Sequence, residues 1–106
     1  MIPEPLSLGV TDATGEPIVL ARGEVDIYTA PRLRECLLAL LAAGRREVVV
    51  DLSGVRLLDG SGLAGLLDAL RVYREHGGDI VLRMPRPATQ KLLDLTGLDR
   101  VFTIEP

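Results

Sequence analysis

The stretch that decides the fold is residues 48–63, which read VVVDLSGVRLLDGSGL. The three valines within Glu47 to Leu52 are typical of a central strand of a parallel sheet, covered on both faces. After a glycine-flanked turn, apolar side chains recur at helical spacing from about Ser61 onward. They predict one buried helix face, made of Leu63, Leu66, Leu67, Leu70 and Tyr73. A strand followed by such a helix is half of a βαβ unit, so the stretch predicts an α/β fold.

Two strands and a helix are predicted upstream of this stretch. The strands are Leu6–Val10 and Pro17–Val25, and the turn signal at Asp12–Gly15 between them favours a hairpin. A helix follows, with Thr29 as its N-cap, and it runs to about Ala43 because Gly44 suits the end of a helix. The chain therefore opens with an antiparallel pair of strands and then turns to helix and strand alternation.

Downstream, the same patterns predict a strand at Ile80–Leu82, a helix at Pro87–Leu95 and a last short strand at Val101–Ile104. The complete order is β-β-α-β-α-β-α-β. Strands separated by helices need crossover connections, so the order predicts a mixed, mostly parallel sheet of about five strands. No linker or internal repeat interrupts the pattern, and residues 1–106 are predicted to form a single domain.

Composition excludes several classes of function. Of the 106 residues, 47% are apolar but only 3% are aromatic, and the formal net charge is −3, so neither a basic patch nor base-stacking side chains point to nucleic acid. One cysteine, Cys36, and one histidine, His76, can form neither a disulfide framework nor a metal cluster. The first residues lack a signal-peptide pattern and no long apolar run occurs, so we expect a cytoplasmic protein without a membrane partner.

The glycine-rich turn admits an enzymatic interpretation that its context weakens. Gly60, Gly62 and Gly65 form a G-x-G-x-x-G pattern, and Asp79 follows at a suitable distance for a dinucleotide site. However, Ser53 to Asp59 separate the pattern from its strand, two strands and a helix precede it, and the chain has no room for a second mononucleotide half. The serine is not the nucleophile of a G-x-S-x-G elbow either, so we do not expect an enzyme.

Ser61 has two interpretations that use the same geometry. In the structural one, Asp59 or Ser61 caps the helix that starts here. In the functional one, a phosphate on Ser61 is stabilised by free backbone N–H groups at the positive end of the helix dipole. That phosphate would add a charge of about −1.5 to −2 beside Asp59 and would repel a partner docked over the loop.

Three segments, in order, resemble those of the STAS domain family, and within it the bacterial anti-sigma-factor antagonists. Residues 23–26, GEVD, with Thr29-Ala30 are similar to the family's "GELD…TA" segment. Residues 48–52 and 59–63 resemble its strand and its phosphorylation loop of the form D-x-S-G-L. Residues 95–102, LTGLDRVF, are similar to its C-terminal segment. The resemblance covers nearly the whole chain and implies a STAS-like sheet with helices packed mainly on one face.

The resemblance also implies a mechanism and a set of site residues. The unphosphorylated protein would bind a serine-kinase anti-sigma factor and release the sigma factor. The kinase, which binds the ATP, would phosphorylate Ser61 and end the interaction until a serine phosphatase resets it. The implied loop motif is Asp59, Gly60, Gly62 and Leu63, and the implied partner-binding residues are Gly23, Glu24, Asp26, Thr29 and Ala30. Many relatives carry a hydroxyl residue where this chain has Gly60. Because glycine has no hydroxyl, Ser61 is the only phosphate acceptor in the loop sequence.

Two alternatives stay open. The chain could be a STAS subunit of a transporter, a lipid-trafficking system or a stress-signalling complex, or it could bind a nucleotide through Gly60, Gly62 and Gly65. The leading interpretation is a phosphoprotein of transcription regulation that needs no cofactor or metal. We expect such a protein to be a monomer when it is free.

Overall fold

The computed structural model describes residues 6–12 and 15–106 and confirms the predicted order of elements. The elements are β1 (Leu6–Thr11), β2 (Ile18–Val25), α1 (Ala30–Ala42), β3 (Glu47–Leu58), α2 (Gly60–Glu75), β4 (Asp79–Arg83), α3 (Pro87–Thr96), a 3-10 turn (Leu98–Arg100) and β5 (Thr103–Glu105). The turn predicted at 12–15 lies partly outside the described residues.

The strands form one sheet in the order β1-β2-β3-β4-β5. β1 pairs with β2 in antiparallel fashion, whereas β2, β3, β4 and β5 are parallel to one another. The prediction of a mixed, mostly parallel sheet is therefore confirmed. β3 lies at the centre, and its carboxyl end lies beside that of β2, because Val25 pairs with Leu58. Parallel strands bring their carboxyl ends to one edge of the sheet, and here that edge carries the loops that precede α1 and α2.

One hydrophobic core joins the sheet to all three helices. Val48 and Val50 of β3 are fully buried in it together with Leu37 of α1, Leu70 of α2 and Leu93 of α3. Side chains alternate between the faces of a strand, so these two valines share one face of the sheet. The prediction that the helices pack mainly on one face agrees with this arrangement.

Val49 lies on the opposite face of the sheet. The expectation that the central strand is covered on both faces needs correction there. It is 4% exposed but does not belong to the core that the helices share. Its register partners on the neighbouring strands, Ile18 and Val81, flank it instead. The three valines thus mark a buried central strand, but only one of its faces packs against helices.

β3 is twice as long as the sequence predicts, because it continues from Leu52 to Leu58. The pairing with β2 shifts register twice, between Leu20 and Arg22 and between Gly23 and Glu24. Each shift adds one residue to β3, so its inward side chains beyond Leu52 fall three residues apart, at Val55 and Leu58. This spacing hides the two-residue period of a strand. The argument that Ser53 to Asp59 separate the glycine pattern from its strand is therefore wrong.

The remaining boundaries differ from prediction by small amounts with local causes. The last strand begins at Thr103 rather than Val101, because the 3-10 turn Leu98–Arg100 precedes it. α2 begins at Gly60, one residue before the predicted start. Within residues 6–12 and 15–106, no helix combines the length and the apolar character needed to cross a bilayer.

Candidate functional site

Asp59 caps α2 and leaves Ser61 free. Its Oδ1 accepts a hydrogen bond of 3.0 Å from the Gly62 backbone N–H, and its carbonyl accepts one of 2.9 Å from the N–H of Leu63. Ser61 lies in the first turn and is half-buried. In the part of the chain that the structure describes, its hydroxyl takes part in no hydrogen bond. Of the two capping residues that the sequence allowed, the structure therefore assigns Asp59, and the serine oxygen is available for chemistry.

Of the three glycines in this region, packing requires the one at position 62 and favours the one at position 65. A Cβ at Gly62 would lie 2.6 Å from the Val25 carbonyl oxygen, and one at Gly65 would lie 3.3 Å from the Cβ of Ala30. A Cβ at Gly60 would meet nothing within 4 Å. The formal G-x-G-x-x-G pattern thus lets α2 approach β2 and the start of α1 closely. Protein atoms occupy the space beside its second and third glycines.

The loop before α1 is held by a reciprocal pair, Asp26 and Thr29. The Asp26 carboxylate accepts hydrogen bonds from the N–H groups of Tyr28, at 2.9 Å, and Thr29, at 3.1 Å. The Thr29 hydroxyl donates to the carbonyl of Glu24 at 2.8 Å and accepts from the N–H of Asp26 at 2.9 Å. Thr29 stands at the N-cap position, but its side chain does not cap α1 and is 2% exposed. Its predicted capping role is wrong, because the hydroxyl closes the loop behind it instead.

The two residues between this pair are the ones that sequence reasoning missed. Ile27 is 66% exposed and Tyr28 is 86% exposed, although both are large and apolar. One signal in the sequence could have identified them. Two bulky residues stand between two polar ones in a stretch that follows neither the two-residue period of a strand nor the roughly 3.6-residue period of a helix. Their neighbours Val25 and Thr29 are buried, so the loop turns only these two side chains outward.

A shallow groove of about 390 Å³ joins the two loops. It runs between the first turns of α1 and α2 and includes Ser61 and Ile27. Its lining comprises Ile27, Ala30, Pro31, Arg34, Ser61, Ala64, Gly65 and Asp68. A larger open cleft at the opposite end of β3, lined by Gly15–Pro17 and Gly44–Glu47, contains none of the predicted site residues.

The other predicted site residues lie around this groove rather than in it, except Ala30, which lines it. Gly23 has φ of +108° beside a register shift, a conformation that favours glycine. Glu24 lies 3.5 Å from Arg56 in an ion pair that is largely exposed to solvent. Leu63 is buried in the core. These positions indicate that most of the polar and glycine motif shapes the site, while few of its members face a partner.

The resolved pKa shifts in the interior belong to the core and not to the site. Burial raises the pKa of the Cys36 thiol, which packs against the core. Burial also raises the pKa of Tyr73 to about 12, with the nearby Cys36 contributing, and its hydroxyl donates to the Leu37 carbonyl. His76 is exposed at the end of α2, and among the described residues no metal-binding cluster of His, Cys, Asp and Glu occurs.

Comparisons with known proteins find relatives of this chain in both sequence and structure. A family model described as "Mlab, STAS domain" matches residues 9–105. The anti-sigma-B factor antagonist of Bacillus subtilis is 32% identical over 82 residues, which cover 77% of this chain and 74% of the relative.

Solved structures agree with the sequence comparisons. An anti-sigma factor antagonist from Mycobacterium paratuberculosis is 32% identical, with a TM-score of 0.85 over 99% of this chain and 89% of that one. The anti-sigma factor antagonist SpoIIAA in its unphosphorylated form superposes with a TM-score of 0.78 at 19% identity, over 94% of this chain and 89% of that one. At that identity the likeness to SpoIIAA concerns the fold.

Proposed function

This chain belongs to the STAS domain family, and from that premise we propose that it is an anti-sigma-factor antagonist switched by phosphorylation of Ser61. The observation that carries the proposal is the half-buried Ser61 side chain in the groove, whose hydroxyl forms no hydrogen bond with the described residues, because Asp59 supplies the cap. The relatives described as anti-sigma factor antagonists support the class of partner.

The local geometry accounts for both states of the switch. Without phosphate, the lining of the groove is nearly neutral, because its charged members among the described residues, Arg34 and Asp68, are opposite in sign. A phosphate on Ser61 adds a charge of about −1.5 to −2. The α2 N-terminus tolerates that charge, because its dipole is positive at this end. A partner docked over the groove would have to desolvate the phosphate next to Asp59, which disfavours the complex.

We propose that the chemistry is performed by partners and not by this chain. A serine-kinase anti-sigma factor would bind ATP and transfer the γ-phosphoryl group to the Ser61 oxygen, with release of ADP and the hydroxyl proton. A serine phosphatase would then hydrolyse the phosphoester with water, which returns the serine hydroxyl and inorganic phosphate. This division is supported by the simplicity of the site, which offers an acceptor hydroxyl and a docking groove. We also propose that the exchange takes place in the cytoplasm, where ATP and sigma factors are found, and that the free protein is a monomer.

Phosphorylation in vitro tests this proposal. The purified protein is incubated with ATP and, one at a time, with the purified anti-sigma factor kinases encoded in the same genome, and the products are mapped by mass spectrometry. We expect one phosphate per chain, on Ser61, and none on the Ser61→Ala variant. Modification of another residue, or none with any kinase, would contradict the proposal. Stable binding of a permease component without phosphorylation would favour the role of a subunit in a larger complex.

A further inference from the structure

The adjacent side chains of Ile27 and Tyr28 form an exposed apolar pair that the fold does not use. The other large exposed apolar side chains, such as Val10 on β1 and Leu95 on α3, are scattered over separate elements. Singly exposed apolar residues are ordinary on protein surfaces, whereas contiguous exposed apolar area is typical of contact sites. From here on we call Ile27 and Tyr28 the apolar pair.

The backbone beneath the apolar pair is held by hydrogen bonds. The N–H of Tyr28 is bound by the Asp26 carboxylate, and the N–H of Ala30 donates to the Asp26 carbonyl at 2.8 Å. The buried Thr29 hydroxyl ties the same loop to Glu24. A loop that is already ordered loses little conformational entropy on binding, so an exposed aromatic side chain on it can contribute most of its contact energy to affinity.

The apolar pair is continuous with the phosphorylation site. Ile27 and Ser61 line the same groove, although they are 34 positions apart in the chain. A kinase whose active site reaches the Ser61 hydroxyl must therefore cover Ile27, and Tyr28 follows directly. Apolar contacts of this kind also strengthen the switch, because they offer no polar partner that replaces the hydration lost by a phosphate buried in the interface.

Resting on the proposed function, we infer that the apolar pair is the anchor by which this protein binds its anti-sigma factor kinase. The kinase then presents an apolar pocket that receives the Tyr28 ring, next to the cleft that receives Ser61. Asp26 and Thr29 act as positioning residues that hold the loop and contribute to recognition only through it. Specificity among kinases would be determined by the apolar pair, while the motif around it maintains its geometry.

Alanine substitutions with a matched control test this inference. The affinity of the unphosphorylated protein for its kinase is measured by calorimetry for the wild type, Ile27→Ala, Tyr28→Ala and Leu95→Ala. Anchor residues lose roughly 10- to 100-fold in affinity on truncation, and we expect this for Tyr28→Ala and a smaller loss for Ile27→Ala. Leu95→Ala, which removes an equally exposed side chain outside the groove, should change the affinity less than twofold. The thermal unfolding temperatures of all three variants should match that of the wild type, because all three substituted side chains are exposed.

The conservative variant Tyr28→Phe separates apolar contact from hydrogen bonding. It should retain the wild-type affinity within about threefold, and a loss as large as that of Tyr28→Ala would overturn the apolar anchor. Wild-type affinity of Tyr28→Ala and Ile27→Ala, with Ser61 still phosphorylated normally, would overturn the anchor while leaving the proposed function intact. Failure of the wild type to bind any anti-sigma factor kinase would overturn both.

Discussion

The starts of α1 and α2 contain the same kinds of residue and use them in opposite ways. Each start has an aspartate, Asp26 or Asp59, and a hydroxyl residue two or three positions later, Thr29 or Ser61. At α1 the hydroxyl is buried and forms hydrogen bonds as both donor and acceptor. At α2 the aspartate alone forms the cap, and the hydroxyl is half-exposed in a groove. A hydroxyl near an aspartate therefore becomes a structural tie or an acceptor for chemistry according to its burial and its hydrogen bonds.

The largest expected difference between the two starts is in phosphate transfer. Ser61→Ala should abolish phosphorylation by the cognate kinase, since the only hydroxyl of the α2 loop is removed. At complete reaction, Thr29→Val should still carry one phosphate per folded chain, because the Thr29 hydroxyl is 2% exposed, bonded on both sides and not the acceptor. Weaker kinase binding through the altered loop would slow the reaction without changing its end point. Intact-mass measurement after incubation with ATP gives both values. Phosphate retained on Ser61→Ala, or lost from folded Thr29→Val, would break the contrast.

Steric demand differs sharply between the two glycines that flank Ser61. Gly62→Ala should lower the free energy of unfolding by about 2–3 kcal/mol, since its Cβ would lie 2.6 Å from the Val25 carbonyl oxygen. Gly60→Ala should be neutral or stabilising by up to about 1 kcal/mol, because nothing lies within 4 Å and the unfolded chain loses freedom. Urea unfolding followed by circular dichroism measures both. Equal stability of the two variants would show that α2 does not approach β2 as closely as described.

The structural role of the Thr29 hydroxyl should be visible in the free energy of unfolding. Thr29→Val should lower the free energy of unfolding by about 1–3 kcal/mol, because the part-buried N–H of Asp26 and the carbonyl of Glu24 lose their partner. Ser61→Ala serves as the matched control and should change it by less than about 0.5 kcal/mol, since its hydroxyl forms no hydrogen bond within the described residues. A larger loss for Ser61→Ala than for Thr29→Val, in the same urea titrations, would reverse the assignment of the two roles.

The smallest effect on stability is expected from a second hydroxyl in the loop before α2. It also tests whether exposure alone makes a hydroxyl at this helix start an acceptor. Gly60→Ser fits without a clash, so its free energy of unfolding should stay within about 0.5 kcal/mol of wild type. Position 60 is exposed and begins α2, which makes the new hydroxyl accessible to the same kinase. Peptide mapping should detect a minor phosphate on residue 60 besides the one on Ser61. Its complete absence would show that accessibility alone does not select the acceptor.

The sequence was informative wherever a periodic pattern faces one core. The strand at Val48–Val50, the α2 leucines and the order of elements follow from such patterns, and the structure confirms them. The extension of β3 to Leu58 could not be predicted, because two register shifts replace the period of two by a spacing of three. The motif residues of the site were found by family resemblance, but resemblance does not show which of them face outward.

The groove itself depends on contacts that are distant in the chain. Ile27 and Ser61 become neighbours only because Val25 pairs with Leu58 and because Gly62 lets α2 approach β2. The exposure of Tyr28 likewise depends on the hydrogen bonds that Asp26 and Thr29 exchange behind it. Local spacing carries neither kind of information, so the docking surface emerges from the assembled fold.

Binding of the two phosphorylation states tests the central claim most directly. The protein is phosphorylated to completion, purified, and titrated by calorimetry into the kinase that modified it, beside the unphosphorylated protein and the unphosphorylated Ser61→Ala variant. The account predicts that phosphate on Ser61 weakens binding at least tenfold, about 1.4 kcal/mol, while Ser61→Ala binds as tightly as the unphosphorylated wild type. Equal affinity of the phosphorylated and unphosphorylated proteins would contradict the switch.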